Sequence, residues 1–118
     1  MRIVAMDPGI RSIGVFAAQC SSDGAVTAID ACANVDAMVL AATGAARPSG
    51  SLHSHIDSFL RGPHGALLTA ADVIVLERQP PGSAGFPLEL LVRERFGAKC
   101  VFVAPQTLHK RFLSLIHI

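Results

Sequence analysis

The stretch RIVAMDPG, residues 2–9, decides how this sequence is interpreted. It is a short apolar run that stops at Asp7 and is followed by Pro8-Gly9, a strong turn signal. This pattern predicts a buried strand over residues 2–6 with an acid just beyond its end. A second apolar run, residues 12–18, begins five residues after that acid, and this distance predicts a tight hairpin.

Strand and helix patterns then alternate along the chain. A turn signal precedes a third strand at residues 25–32, which completes an antiparallel meander. The later pattern predicts a loop at 41–51, helices at 52–60 and 66–71, a strand at 73–76, a helix at 87–96, a strand at 99–103 and a helix from Gln106. We therefore expect an α/β fold with a mixed five-stranded sheet, antiparallel in strands 1–3 and parallel in strands 4 and 5, flanked by helices.

Composition limits the classes of protein that are compatible with the sequence. A length of 118 residues allows one domain, and a 51% hydrophobic content argues against disorder. The net charge of +1 gives no overall basic signature of nucleic-acid binding, although a local basic patch can suffice. The sequence contains neither a signal peptide nor an apolar run near the ~20 residues of a membrane span. Its three cysteines are far apart, so we expect reduced thiols and a cytoplasmic, intracellular protein.

Two acids are the candidates for chemistry. Glu77 ends the fourth predicted strand in the same way that Asp7 ends the first. If these strands are neighbours, both carboxylates project from one edge of the sheet and form a site for Mg²⁺ or Mn²⁺. Two such ions about 3.5–4 Å apart can activate water and stabilise the leaving oxygen of a phosphodiester. The alternative is that each acid merely ends its strand in solvent, and the occurrence of both together favours the metal site.

Three segments, in this order, resemble motifs of the RuvC-like Holliday junction resolvases, a group with the RNase H-like fold. Residues 3–14, IVAMDPGIRSIG, resemble their first motif. Residues 73–80, VIVLERQP, resemble the second motif in the form found in viral and mitochondrial resolvases. Residues 103–112, VAPQTLHKRF, resemble the fifth strand and the Pro-x-x-x-x-Lys start of the next helix.

The resemblance implies a crossover junction endodeoxyribonuclease, a hydrolase that cuts phosphodiester bonds at four-way DNA junctions in recombination and repair. Such enzymes act as homodimers and use divalent metal held by four acids, of which Asp7 and Glu77 match the first two. Lys110 matches a basic residue near the active centre. The expected DNA-binding residues are Arg11, Arg78, Gln79, Lys110 and Arg111, although each cation taken singly is also an ordinary surface residue.

The sequence departs from the family pattern at its third and fourth acids, which lie on a C-terminal helix. No Asp or Glu follows Glu94 in this chain. We therefore expect residues 1–112 to form an incomplete nuclease domain without that catalytic helix. Residues 113–118, LSLIHI, resemble a translated adapter and are expected to be a non-native tail. A chain of this kind is expected to be inactive by itself.

Three alternatives stay open from the sequence. Sugar kinases and actin-like ATPases also begin with a strand, an acid and a glycine-containing hairpin, but they bind nucleotide there. The YqgF-type RNA-processing nucleases share the Asp-Pro-Gly-like start, whereas their second motif differs from Glu77-Arg78-Gln79-Pro80. A non-catalytic nucleic-acid-binding module would keep the fold and leave the acids idle.

Overall fold

A computed structural model describes residues 1–9, 12–36 and 52–104, with the backbone alone at 52–54. Its elements are β1 (Arg2–Asp7), β2 (Ile13–Cys20), β3 (Val26–Val35), α1 (Leu52–Arg61), α2 (Pro63–Ala70), β4 (Val73–Glu77), α3 (Phe86–Phe96), a 3₁₀ turn (Gly97–Lys99) and β5 (Cys100–Val103). The sheet order is β3-β2-β1-β4-β5. The β1–β2 and β2–β3 pairs are antiparallel, and the β1–β4 and β4–β5 pairs are parallel. The predicted mixed five-stranded α/β fold is confirmed.

One apolar cluster joins the helices to one face of the sheet. Because strand side chains alternate between faces, every second residue of β1 and β4 enters this cluster. Its members include Val4, Met6, Ile74 and Leu76 from the strands and Phe59, Leu68, Leu88 and Val92 from the helices. Burying each of these large side chains contributes roughly 1.5–3 kcal/mol relative to leaving it in water. The residues that alternate with them, including those at the strand ends, lie on the opposite face.

The predicted start of the second helix, residue 66, was wrong. The helix begins at Pro63, because Gly62 is the N-cap and proline at the first helical position forfeits only an N–H that has no partner within the helix. A Cβ at Gly65 would lie 1.7 Å from the Leu60 carbonyl oxygen, so this glycine allows α2 to fold tightly against the end of α1. The Gly-Pro pair therefore starts a helix immediately.

Two further differences are small. The third strand runs to Val35, beyond the predicted end at residue 32. A 3₁₀ turn that was not predicted joins α3 to β5, and Gly97 caps α3 with φ −52°, in the right-handed region. The predicted loop at 41–51 and the helix from Gln106 lie outside the described residues. Within the described ranges, no helix is long and apolar enough to cross a membrane.

Candidate functional site

Asp7 and Glu77 lie at the same end of two adjacent strands. The parallel β1–β4 register pairs Ile3 with Val73 and continues to Met6 with Leu76, and each acid is the next residue of its strand. Neighbouring strands are about 4.8 Å apart, and parallel partners in register project to the same face. The structure therefore places the two half-buried acids side by side at the carboxyl edge of the sheet.

The two acids lie on the face opposite the helices. Met6 and Leu76 are fully buried in the helix-covered cluster, so the next residue of each strand points the other way. On the other side of Asp7, the β2 partner is Gly14, and a Cβ built there would lie 3.5 Å from the Asp7 Cβ. Gly14 therefore places no side chain of its own beside Asp7.

The loops that follow the two strands are in direct contact. A Cβ built on Gly85 would lie 1.9 Å from the Pro8 carbonyl oxygen and 2.7 Å from Gln79 Oε1. Gly85 is buried and caps the N-terminus of α3. Only a residue without a side chain permits this approach, so the turn after β4 lies directly against the turn after β1.

A buried acid on α3 was missed in the sequence analysis. Glu89 is 2% exposed, and its Oε1 accepts the backbone N–H of Gln79 at 2.8 Å. Its Oε2 lies 3.5 Å from the Arg93 guanidinium. The only sequence signal was an acid between Leu88 and Leu90 on a helix that follows the second motif, and an acid in a first helical turn is ordinary.

Two arginines share one aromatic ring beside this edge of the sheet. The guanidinium carbon of Arg93 lies 4.3 Å from the Phe102 ring centroid, and that of Arg78 lies 6.0 Å from it. Arg78 is exposed, and its backbone N–H donates to the Val103 carbonyl at 2.9 Å. Phe102 thus holds two cations next to the strand end that carries Glu77, on the helix-covered side of the sheet.

The Gln79 side chain forms hydrogen bonds within the turn that follows β4. The side-chain Nε2 donates to the Glu77 and Arg78 carbonyl oxygens at 3.3 and 3.4 Å. Its predicted contact with DNA stays a prediction, as does that of Arg78. The other predicted DNA-binding residues, Arg11, Lys110 and Arg111, lie outside the described residues.

Burial shifts the pKa of two further groups. It raises the pKa of the Cys100 thiol on β5, and the nearby Lys99 and Arg93 charges oppose this shift. The thiol therefore stays protonated at neutral pH, unlike a reactive cysteine. Burial also lowers the pKa of His64 on α2.

The donor set at the edge suits one hydrated divalent cation. Two neighbouring carboxylates supply hard oxygen ligands, and Mg²⁺ commonly binds one or two carboxylates plus waters and substrate phosphate. Among the described residues, no group of three or more His, Cys, Asp or Glu side chains could hold a metal ion. Asp7 and Glu77 could therefore supply two oxygen ligands, which is part of the donor set that a metal site needs.

No protein-family model matches the chain, and no curated protein matches it either. Solved structures do. The yeast mitochondrial Holliday junction resolvase Ydc2 superposes with a TM-score of 0.67 at 14% identity, over 98% of this chain and 57% of that one. The chain shares the fold of Holliday junction resolvases.

Two other resolvases support the same fold. The fowlpox virus resolvase, in complex with its Holliday junction DNA, gives a TM-score of 0.65 at 16% identity, over 99% of this chain and 72% of that one. Thermus thermophilus RuvC gives 0.56 at 13% identity, over 96% and 69%. The expected RNase H-like resolvase fold is confirmed. The chain spans between 57% and 72% of the length of these three resolvases.

Proposed function

We propose that this protein is a metal-dependent endonuclease of four-way DNA junctions, with Asp7 and Glu77 as two of the carboxylates that bind Mg²⁺ or Mn²⁺. The observation that carries the proposal is the placement of these acids side by side at the carboxyl ends of adjacent parallel strands. The resolvase fold is consistent with this proposal. It does not carry the proposal by itself, because one fold can host several chemistries.

The residues at this edge of the sheet have different roles in the proposed reaction. Asp7 and Glu77 would hold a cation on the face of the sheet opposite the helices, where Gly14, the β2 partner of Asp7, contributes no side chain. The bound cation supplies positive charge that offsets the charge developing on the phosphodiester. Cationic side chains hold the DNA backbone, and Arg78 is the described residue that we assign to this role.

The proposed partner is branched DNA. A four-way junction presents two symmetric strands for cutting, so a homodimer is the proposed assembly. We also propose DNA contacts for Arg11, Gln79 and Arg111, and a place for Lys110 close to the scissile strand. The biological setting proposed for this activity is DNA recombination and repair.

A junction-binding module without cleavage is the second candidate. It is favoured by the lack of a group of three or more His, Cys, Asp or Glu side chains that could hold a metal ion among the described residues. This candidate shares the DNA partner of the first proposal and differs in that the acids perform no chemistry.

The test uses the 118-residue chain with two measurements. Mn²⁺ titration followed by paramagnetic line broadening locates the cation, and a gel shift compares a four-way junction with a linear duplex of the same composition. We expect Mn²⁺ to broaden the amide signals around residues 7 and 77, and Asp7→Asn or Glu77→Gln to remove this effect. Junction binding should persist in both variants, since it rests on contacts to phosphate.

Asp30→Asn is the matched control, because Asp30 is an exposed acid on β3, at the far edge of the sheet, and the substitution changes net charge equally. Broadening that is unchanged in Asp7→Asn and Glu77→Gln would contradict the metal site. Equal affinity for duplex and junction would contradict the proposed substrate.

A further inference from the structure

Glu89 is an acid that the fold buries almost completely. Its exposed fraction is 2%, although Asp and Glu are almost never fully buried unless they are paired. Removing a carboxylate from water is unfavourable, and only good compensating contacts offset this loss of hydration. An acid that merely complemented the dipole of α3 would do so at an exposed position of the first turn. The burial therefore points to a specific task.

That task concerns the turn that follows Glu77. Glu89 Oε1 accepts the backbone N–H of Gln79 at 2.8 Å, across ten positions of the chain. Gln79 in turn donates its side-chain amide to the Glu77 carbonyl oxygen at 3.3 Å. The carboxylate on α3 thus fixes the backbone two residues beyond the end of β4.

The same turn is fixed against the end of β1. Gly85 lies against the Pro8 carbonyl and the Gln79 amide oxygen, closer than any residue with a Cβ could. Gly85 and Glu89 lie on one turn of α3, where the Glu89 N–H donates to the Gly85 carbonyl at 3.1 Å. The first turn of α3 is therefore in contact with both loops that leave the acid-bearing strands.

We infer that Glu89 is a positioning residue that sets the placement of Glu77 relative to Asp7 by anchoring the turn after β4 to α3. This inference rests on the proposed function, because it assigns to Glu89 the alignment of the two carboxylates that hold the cation. Glu89 itself lies on α3, on the helix-covered side of the sheet. Residues that orient metal ligands in this way change metal affinity when they are replaced.

Three substitutions of Glu89 distinguish its hydrogen bond to the Gln79 backbone from its contribution to packing. Glu89→Gln keeps an oxygen acceptor at the same reach, Glu89→Leu removes the acceptor at similar volume, and Glu89→Asp shortens the side chain by one bond of about 1.5 Å. Each is made in the full chain and studied below its own melting temperature. The readouts are hydrogen exchange at the Gln79 amide and Mn²⁺ affinity from line broadening around residues 7 and 77.

We expect Glu89→Leu and Glu89→Asp to weaken Mn²⁺ binding by about tenfold or more and to accelerate exchange at Gln79. Glu89→Gln should stay within about threefold of the parent affinity and preserve protection at Gln79, since an amide oxygen replaces the carboxylate oxygen. If Glu89→Leu fails to fold, the comparison of Glu89→Asp with Glu89→Gln decides. A parent chain that binds no Mn²⁺ at the pair overturns the proposed function. A parent chain that binds Mn²⁺, together with unchanged affinity in Glu89→Asp and Glu89→Leu, overturns the inference about Glu89 alone.

Discussion

The Cα of Gly85 lies so close to the Pro8 carbonyl oxygen that a Cβ built on it would come within 1.9 Å of that atom. Real Cβ contacts of that length do not occur, so the backbone must move to accept any side chain there. At the other end of α3, a Cβ built on Gly97 would meet no atom within 4 Å. The two glycines also share right-handed backbone conformations, which makes them a matched pair.

Gly85→Ala should lower the free energy of unfolding by about 1–3 kcal/mol, because the added methyl group forces apart the loops that follow β1 and β4. Gly97→Ala should be neutral or stabilising by about 0.4–1 kcal/mol, since alanine restricts the unfolded chain. Urea unfolding of both variants measures the difference. Equal effects at the two positions would show that the two loops are not packed as tightly as described.

Arg78 should contribute one phosphate contact to DNA binding. Arg78→Gln is expected to weaken junction binding at low salt and to reduce the slope of log K against log salt concentration by about 0.9. Arg95→Gln is the control: Arg95 on α3 loses the same charge, but it pairs with Asp57 at 3.4 Å and lies off the Phe102 ring that Arg78 shares. Gel shifts at four salt concentrations give both slopes. Equal losses of affinity and slope in the two variants would show that Arg78 acts only through its contribution to net charge.

His64 should make the protein less stable in mild acid. Its ring packs edge-on against Phe59, and its buried Nε2 has no hydrogen-bond partner among the described residues. Because burial lowers its pKa below the ordinary 6.5, the unfolded state binds the proton more readily than the folded state. Stability should therefore decrease as pH falls from about 7 through 6.5, and the loss should level off below the pKa of the folded state.

Melting curves from pH 7.5 to 5 test this dependence. His64→Gln should flatten the decrease in melting temperature over that window, because the substitution removes the titrating group. Parallel pH profiles for the parent and the variant would show that protonation of His64 does not contribute.

The sequence was most informative where a local pattern coincided with a strand end. Asp7 and Glu77 each terminate an apolar run, and the parallel pairing of their two strands in register then brings them together. Glu89 was not predictable in the same way. Its burial depends on the path of the turn from Arg78 to Gly85, and tertiary contacts with Pro8 determine that path. An acid between apolar neighbours on a short helix gives no indication of which backbone N–H it accepts.

The last prediction concerns cleavage by the 118-residue chain. Two carboxylates supply few anionic ligands, and Mg²⁺ requires near-octahedral order, so the pair can hold one cation but not two in a fixed geometry. Asp7 and Glu77 have no third metal-ligating side chain beside them among the described residues, and the sequence after Glu94 contains no acid. We expect the 118-residue chain to bind a four-way junction without cutting it in Mg²⁺ or Mn²⁺.

Appending a helix that carries two acids three residues apart after Phe112 should confer metal-dependent cleavage, and Asp7→Asn in the extended protein should abolish it. The control is the same helix with each acid replaced by its amide, Asp by Asn or Glu by Gln. It has the same length and shape but adds no negative charge. Denaturing gels of end-labelled junctions measure the products. If the unextended chain cuts junctions and Asp7→Asn removes that activity, two carboxylates suffice, and cleavage does not require further acidic ligands.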